Sequence, residues 1–233
     1  MHVSEKSFST LLQENGCRDH WYPRRVESYQ WAFKLDGSIP NCHALRKNLA
    51  YSMQYLEFLE KEFKELSLSS VIYTMLVKTY VITGMSVLEG LFSNIIKSNG
   101  WWNKSTLESM GTVEASEREF DGTAIVIKTE LLKRVPEHLE RMDLDAMIQK
   151  LSHHHEALQV DHLVYPTLKR LKELRNRVHL QKTDSDSDHD YNAFSYLEKK
   201  EMGSILHTIL TSKMVTDAPD FFDFLKCNVD EEP

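Results

Sequence analysis

From residue 42 onward the apolar positions fall into helical register. Leu45, Leu49, Ser52, Leu56, Leu59, Phe63 and Leu66 recur at alternating steps of four and three with charged residues between them, the pattern of an amphipathic helix of bundle type. The next segment, "SSVIYTMLVKTYVITGMSVLEGLFSNIIKSNG", is apolar on most of its faces. It starts at serines able to cap and stops at Asn99-Gly100, so it reads as a mostly buried helix. Gly84 sits in its middle at a cost of about 1 kcal/mol relative to Ala, which predicts close approach of a neighbouring helix there.

Between Trp101 and Val135 the helical period is lost. The Asp121-Gly122 turn signal followed by the β-branched run "TAIVIK" predicts a short β-hairpin, over about residues 110–132. Helical pattern resumes after Pro136, with Asp143 as the cap of "LDAMIQKLSHHHEAL". A further helix is predicted over about residues 162–180, where Val164, Leu168, Leu171, Arg175 and Val178 follow one another at steps of four, three, four and three. The acidic stretch "QKTDSDSDHDYN" is a solvated loop, and a last helix over about residues 193–212 uses Phe194, Leu197, Ile205 and Ile209.

These elements predict an all-α protein, an up-and-down helical bundle of about four or five main helices with a small inserted β-hairpin. The bundle would span residues 42–213 as one domain. Residues 1–41, rich in aromatic and turn-forming residues but without a sustained period, form an irregular N-terminal arm, and residues 214–233 a C-terminal tail.

Composition narrows the function. At 233 residues, of which 41% are hydrophobic, the chain can bury a sizeable core. A formal charge of -7 excludes a surface that holds nucleic acid by general counterion release, so any nucleic-acid contact requires a local basic site on an acidic body. Cys17, Cys42 and Cys227 are odd in number, widely spaced and without a CxxC pair, which suits reduced thiols better than a disulfide framework or a zinc site. No run approaches the roughly 18 consecutive apolar residues of a membrane span, and "MHVSEKSFSTLLQENG" is too polar for a signal peptide. The expectation is a soluble cytoplasmic protein without a membrane partner.

One stretch breaks the leucine pattern. In "ELRNRVHLQ", Arg175 stands seven after Leu168 and four after Leu171, on the inward stripe, and His179 follows four later. On a continuous α-helix the two would share a face, with Cβ atoms about 5–6 Å apart. An inward guanidinium requires a carboxylate or phosphate, and Glu89, set among Leu88, Leu91 and Phe92 in the second long helix, is a carboxylate in equal need of a partner.

"LRNRVHL", preceded by a long helix carrying "SVLEGLF" and followed by another amphipathic helix, resembles the HEPN superfamily (higher eukaryotes and prokaryotes nucleotide-binding) over roughly residues 42–213. Members are small helical bundles, often homodimers, and many are metal-independent RNases of toxin-antitoxin, abortive-infection and phage-defence systems. The resemblance implies Arg175, Asn176 and His179 as the catalytic motif, with Glu89 as the supporting acid. It further implies RNA as substrate, a homodimer, an antitoxin or other protein partner, and neither cofactor nor metal. His179 would act as general acid or base, Arg175 would hold the scissile phosphate, and Asn176 would orient one of them. Only Asn176, Arg177 and Val178 separate the Arg from the His, fewer residues than the family usually carries.

Other readings stand beside this one. Arg175 and Glu89 also suit a structural ion pair in a non-catalytic module that binds a protein partner or a nucleotide. His179 alone suits a helix C-terminus, where the macrodipole favours a cation. "SHHHEAL", with Asp161 and His162 nearby, offers at most two adjacent-facing imidazoles to a metal-dependent hydrolase. The "DSDSDHD" run lacks the Gly and terminal Glu of an EF-hand loop, and Trp101-Trp102 suit core or dimer contacts better than base stacking.

Overall fold

The computed structural model describes residues 20–178, 185 and 189–226, and the chain divides into two compact units, Met1–Gly100 with Leu144–Pro233, and Trp101–Asp143. The first unit is helical. Its elements are α1 (Val26–Ala32), α2 (Cys42–Glu65), α3 (Ser70–Ser98), α4 (Leu144–His153), α5 (Val164–Arg175), α6 (Asp190–Ala193) and α7 (Tyr196–Leu210).

Helix α3 is the element on which this unit is assembled, because α2, α4, α5, α6 and α7 all pack against it. Tyr80, Met85, Leu88 and Phe92 are fully buried there, as an apolar pattern running most of the way round the helix requires. Two glycines let its neighbours in. A Cβ on Gly84 would lie 2.9 Å from Met202 Cε and 3.1 Å from Leu206 Cδ1 of α7, and one on Gly90 would lie 3.0 Å from Leu45 Cδ1 of α2. Among the described helices only α3 is long and apolar enough to cross a bilayer, and half of that apolar stretch is buried inside the protein. On the same helix the buried ammonium of Lys78 lies 2.7 Å from Asp190 of α6.

Helix α7 starts three residues later than its apolar period predicts. Phe194 is fully buried in extended conformation and ends α6, and a capping box at Ser195 then opens α7: the Ser195 hydroxyl accepts from Leu197 N at 3.1 Å while the Glu198 carboxylate accepts from Ser195 N at 2.8 Å. Leu197, expected inside, is 55% exposed. The stretch expected to be an irregular arm contains α1, and the C-terminal segment folds back on it through a 3-10 turn, Pro219–Leu225. Tyr29 meets the Phe221 ring edge-on at 5.3 Å, Phe33 packs on Phe222 at 5.6 Å, and Lys34 N donates to Val215 O at 2.7 Å.

The second unit corrects the all-α expectation. Strands β1 (Lys104–Glu114) and β4 (Lys128–Leu139) pair antiparallel over nearly their whole length, and β2 (Arg118–Phe120) pairs with β3 (Thr123–Ile125). Ala115 N donates to Ile127 O at 2.9 Å and carries the pairing on from the longer ladder. The tip is the Asp121-Gly122 turn, with φ of 50° and 72°, the two positive values that a two-residue primed hairpin turn needs. The protein is therefore a helix-rich chain with a separate β unit, not an all-α bundle with a small hairpin over 110–132. The pairing extends further because "KSTLESMGTVE" and "KTELLKRVPEHL" match charge across the strands, Lys104 with Glu137 at 2.8 Å and Lys133 with Glu108 at 2.9 Å. With almost every side chain of this ribbon exposed, no apolar face announces it in the sequence. Trp102 Nε1 donates to Glu140 O at 2.8 Å and Glu140 N donates to Asn103 O at 3.0 Å, closing the base of the ribbon.

Candidate functional site

Helix α5 carries the motif singled out in the sequence. Val164, Leu168 and Leu171 are buried on its inward stripe, which rises to the surface at its last residue, Arg175. Arg175 Nη2 donates to Glu89 Oε2 of α3 at 2.9 Å, and each side chain is 33% exposed. The two residues meet, but in a half-open position and not in the sealed core that an inward stripe implies. The α-helix ends at Arg175 and a 3-10 turn, Asn176–Val178, follows. His179 lies outside the described residues.

The change of helix type matters to the spacing. At 3.6 residues per turn a residue four on from Arg175 returns to nearly the same face, whereas at the 3.0 residues per turn of a 3-10 helix it does not. The α-helical phase that would stack His179 on Arg175 therefore stops at Arg175 itself. The Asn176 side chain lies instead beside the Glu173 carboxylate and, after Lys172, helps to lower its pKa. Lys172 donates to Glu173 at 2.7 Å and to Asp145 of α4 at 2.9 Å, and these bonds lower both carboxyl pKa values and raise that of the ammonium. The end of α5 is a half-open network of alternating charge on the last turn, where the helix dipole also favours the cations.

A second charged cluster, which the sequence pattern does not announce, lies on α2. Glu57, Glu60 and Lys61 are all buried, although they occupy what the leucine stripe marks as the polar face. The chain entering α1, the first turn of α7 and the C-terminal 3-10 turn cover them. Arg24 Nε lies 3.1 Å from Glu57 Oε1, the Arg24 guanidinium donates to Phe221 O at 2.8 Å, and it sits over the Phe221 ring at 4.6 Å. The Tyr29 hydroxyl donates a short hydrogen bond to the Glu57 carboxylate; burial, and then the charge of Glu57, push the phenol far above its ordinary range. Lys199 of α7 reaches Glu60 Oε2 at 3.0 Å with its ammonium over the Phe63 ring at 5.3 Å, and the two charged side chains are 4% and 5% exposed. Sequence signals for this cluster exist, since acids at i and i+3 on α2 meet one base upstream and one far downstream, but periodicity cannot say that two faces of one helix are covered.

The remaining candidates are more ordinary. The His155 and His162 rings meet at a tilt of 44° with centroids 4.2 Å apart, and His155 Nδ1 lies 3.5 Å from Glu156. Among the described residues no three His, Cys, Asp or Glu side chains are grouped to hold a metal ion. Most of the "DSDSDHD" run lies outside the described residues; its last member, Asp190, is the partner of Lys78. Cys42 is a buried free thiol at the start of α2. No family model, no curated protein and no solved structure matches this chain.

Proposed function

We propose that the protein is an HEPN-like, metal-independent endoribonuclease of a defence or toxin-antitoxin system, acting as a homodimer through Arg175, Asn176 and His179 with Glu89 as the supporting acid. The observation that carries this reading is the state of Arg175. Its guanidinium meets Glu89 through a single nitrogen, at a helix end one-third open to solvent. The pair is positioned by two core helices, yet its free donors can reach a phosphate. Bidentate contact with a phosphate is stronger than the single contact it would displace.

The chemistry needs no metal, because RNA supplies its own nucleophile. His179 takes the proton of the 2′-hydroxyl, the 2′-oxygen attacks phosphorus, and the 5′-oxygen leaves with a proton returned by an imidazole; Arg175 neutralises the charge that builds on the non-bridging oxygens. Two motifs meeting across a dimer would supply the local basic groove that a chain of net charge -7 otherwise lacks. The test is incubation of the purified protein with RNA in the presence of a chelator. Cleavage by the parent that is lost in His179→Ala and Arg175→Ala, with the helical signal unchanged, supports the reading. RNA left whole by a stoichiometric excess of the parent protein refutes it.

A second reading is favoured by two internal contacts. Arg175 is already engaged by Glu89 and Asn176 by Glu173, so the same residues serve a non-catalytic module that binds a protein partner or a nucleotide, the ion pair setting the register of α5 on α3. It predicts that Arg175→Ala lowers the melting temperature and leaves any partner binding in place.

A further inference from the structure

The buried cluster on α2 borders a cavity of about 310 Å3, at the small end of the range that holds organic ligands. Trp21 and Phe224 give it aromatic walls, and Arg24, Glu57 and Glu60 contribute charge. Most of these charges are balanced within the protein: Arg24 with Glu57, Lys61 with Glu65, and Lys199 with Glu60. Two capacities are left over. Glu60 Oε1 is buried without a hydrogen-bond partner among the described residues, although its other oxygen is held by Lys199. Lys64 stands exposed at the rim with no ion-pair partner among the described residues.

The two leftovers are opposite in character and close together. A buried carboxylate oxygen without a donor is among the costlier arrangements in a protein interior, and it is relieved by an N–H or O–H group placed against it. Lys64 follows Glu60 by four on α2, so their Cβ atoms are about 5–6 Å apart on one face. A single small molecule with a donor at one end and an anionic group at the other spans that separation, and the aromatic walls select an apolar or aromatic body. We infer that this cavity binds a small zwitterion, an α-amino acid with an apolar or aromatic side chain: its ammonium turns the enclosed Glu60 Oε1 toward the cavity and donates to it, its carboxylate pairs with Lys64, and its side chain packs against Trp21 and Phe224. The site is separate from the Arg175–Glu89 pair and independent of the proposed RNase activity.

The test is calorimetric titration of the full-length protein with L-phenylalanine, alongside 2-phenylethylamine, which lacks the carboxylate, 3-phenylpropanoate, which lacks the ammonium, and L-phenylalaninamide. The expected result is a dissociation constant of about 1 mM or tighter for L-phenylalanine, weakened about tenfold or more by loss of either charged group. Glu60→Gln keeps the shape but turns a donor toward the cavity in place of the acceptor, and is expected to abolish the heat. Lys64→Ala, an exposed substitution that leaves the fold intact, is expected to weaken L-phenylalanine severalfold and to leave 2-phenylethylamine unchanged. No heat from L-phenylalanine at saturating concentration, as when ordered water alone satisfies Glu60, overturns the inference. So does binding of L-phenylalaninamide as tight as that of the acid, or binding indifferent to Lys64→Ala.

Discussion

Lys199 offers the sharpest test of the energetics. Its ammonium lies 3.0 Å from Glu60 Oε2, with the two side chains 4% and 5% exposed, so each charge depends on the other. Replacing Lys199 by Met fills a similar volume but leaves a carboxylate with neither oxygen paired, since Glu60 Oε1 is already unpartnered. Breaking a buried pair in this way costs about 3–5 kcal/mol, whereas removing both charges is close to neutral. For a chain of this size about 1 kcal/mol shifts the melting temperature by about 2–4 °C, so Lys199→Met is expected to melt about 10 °C below the parent. With Glu60→Met also expected to cost about 3–5 kcal/mol and the double variant Glu60→Met/Lys199→Met expected within about 1 kcal/mol of the parent, the cycle gives a coupling energy of about 5 kcal/mol or more. Urea unfolding followed by far-UV circular dichroism reads the helical unit directly. A single variant within about 0.5 kcal/mol of the parent, or single effects that simply add in the double, would show that the pair is open to water and refute the reasoning.

Further expectations use the same assay. Arg175→Ala, at a pair one-third exposed, is expected to cost about 1 kcal/mol or less; a loss as large as that of Lys199→Met would show that the pair is closed to solvent. Ser195→Ala removes the hydroxyl that caps α7 and is expected to cost about 1 kcal/mol, and an unchanged midpoint would refute the cap. Burial alone would raise the Glu198 pKa, but the Ser195 hydroxyl and N–H, then Arg170, hold it below its ordinary value of 4.5. Its contribution is therefore present above the unfolded value and lost as pH falls through the lower folded value, so Glu198→Gln is expected to flatten the acid limb of the stability curve below pH 4.5, and an unaltered limb would count against it. Gly122→Ala forces a side chain into a φ of 72° and is expected to loosen the ribbon tip, read as faster amide exchange in residues 118–125; unchanged protection there would refute the turn assignment.

What the sequence revealed depended on whether a residue's role was set by local period or by distant cover. The leucine stripe of α2 and the close approach at Gly84 follow from spacing within one helix, and the partnership of Glu89 with Arg175 from two isolated charges on apolar stripes, whereas Ser69 stands at the start of α3 without making the side-chain capping bond expected of it. The "SYLE" capping box at residues 195–198 interrupts an apolar period that runs through it, so α7 begins later than that period predicts. Helix α1 is too short to show a period, and it owes its order to Tyr29 and Phe33 packing on residues 221 and 222, nearly two hundred positions away. The hairpin turn at Asp121-Gly122 is legible in the sequence, but the length of the ribbon behind it is not, for a different reason. Its strands bury neither face, so the alternation that betrays a strand never appears.

The two charged sites show how little residue type alone decides. Arg175–Glu89 was conspicuous because it interrupts a leucine stripe, yet it sits half in water, where an ion pair contributes little to stability and its groups stay free to meet another anion. Glu57, Glu60 and Lys61 look like ordinary solvated positions, yet they are buried and balanced, Glu57 by Arg24, Glu60 by Lys199 and Lys61 by Glu65, except at one carboxylate oxygen. Burying charge is costly, so a helix that buries three charged residues on its nominally polar face must be covered there by something more than solvent. The covering is supplied by α1, α7 and the C-terminal turn, elements that share no local pattern with α2. For the motif the governing quantity is helical phase: the α-helix stops at Arg175, so any cooperation between Arg175 and His179 rests on the segment after Val178 and not on the one-turn spacing visible in the sequence. Cleavage assays on His179→Ala therefore probe the chemistry of that segment, while amino acid titrations probe a site built wholly from described residues. The two can fail separately.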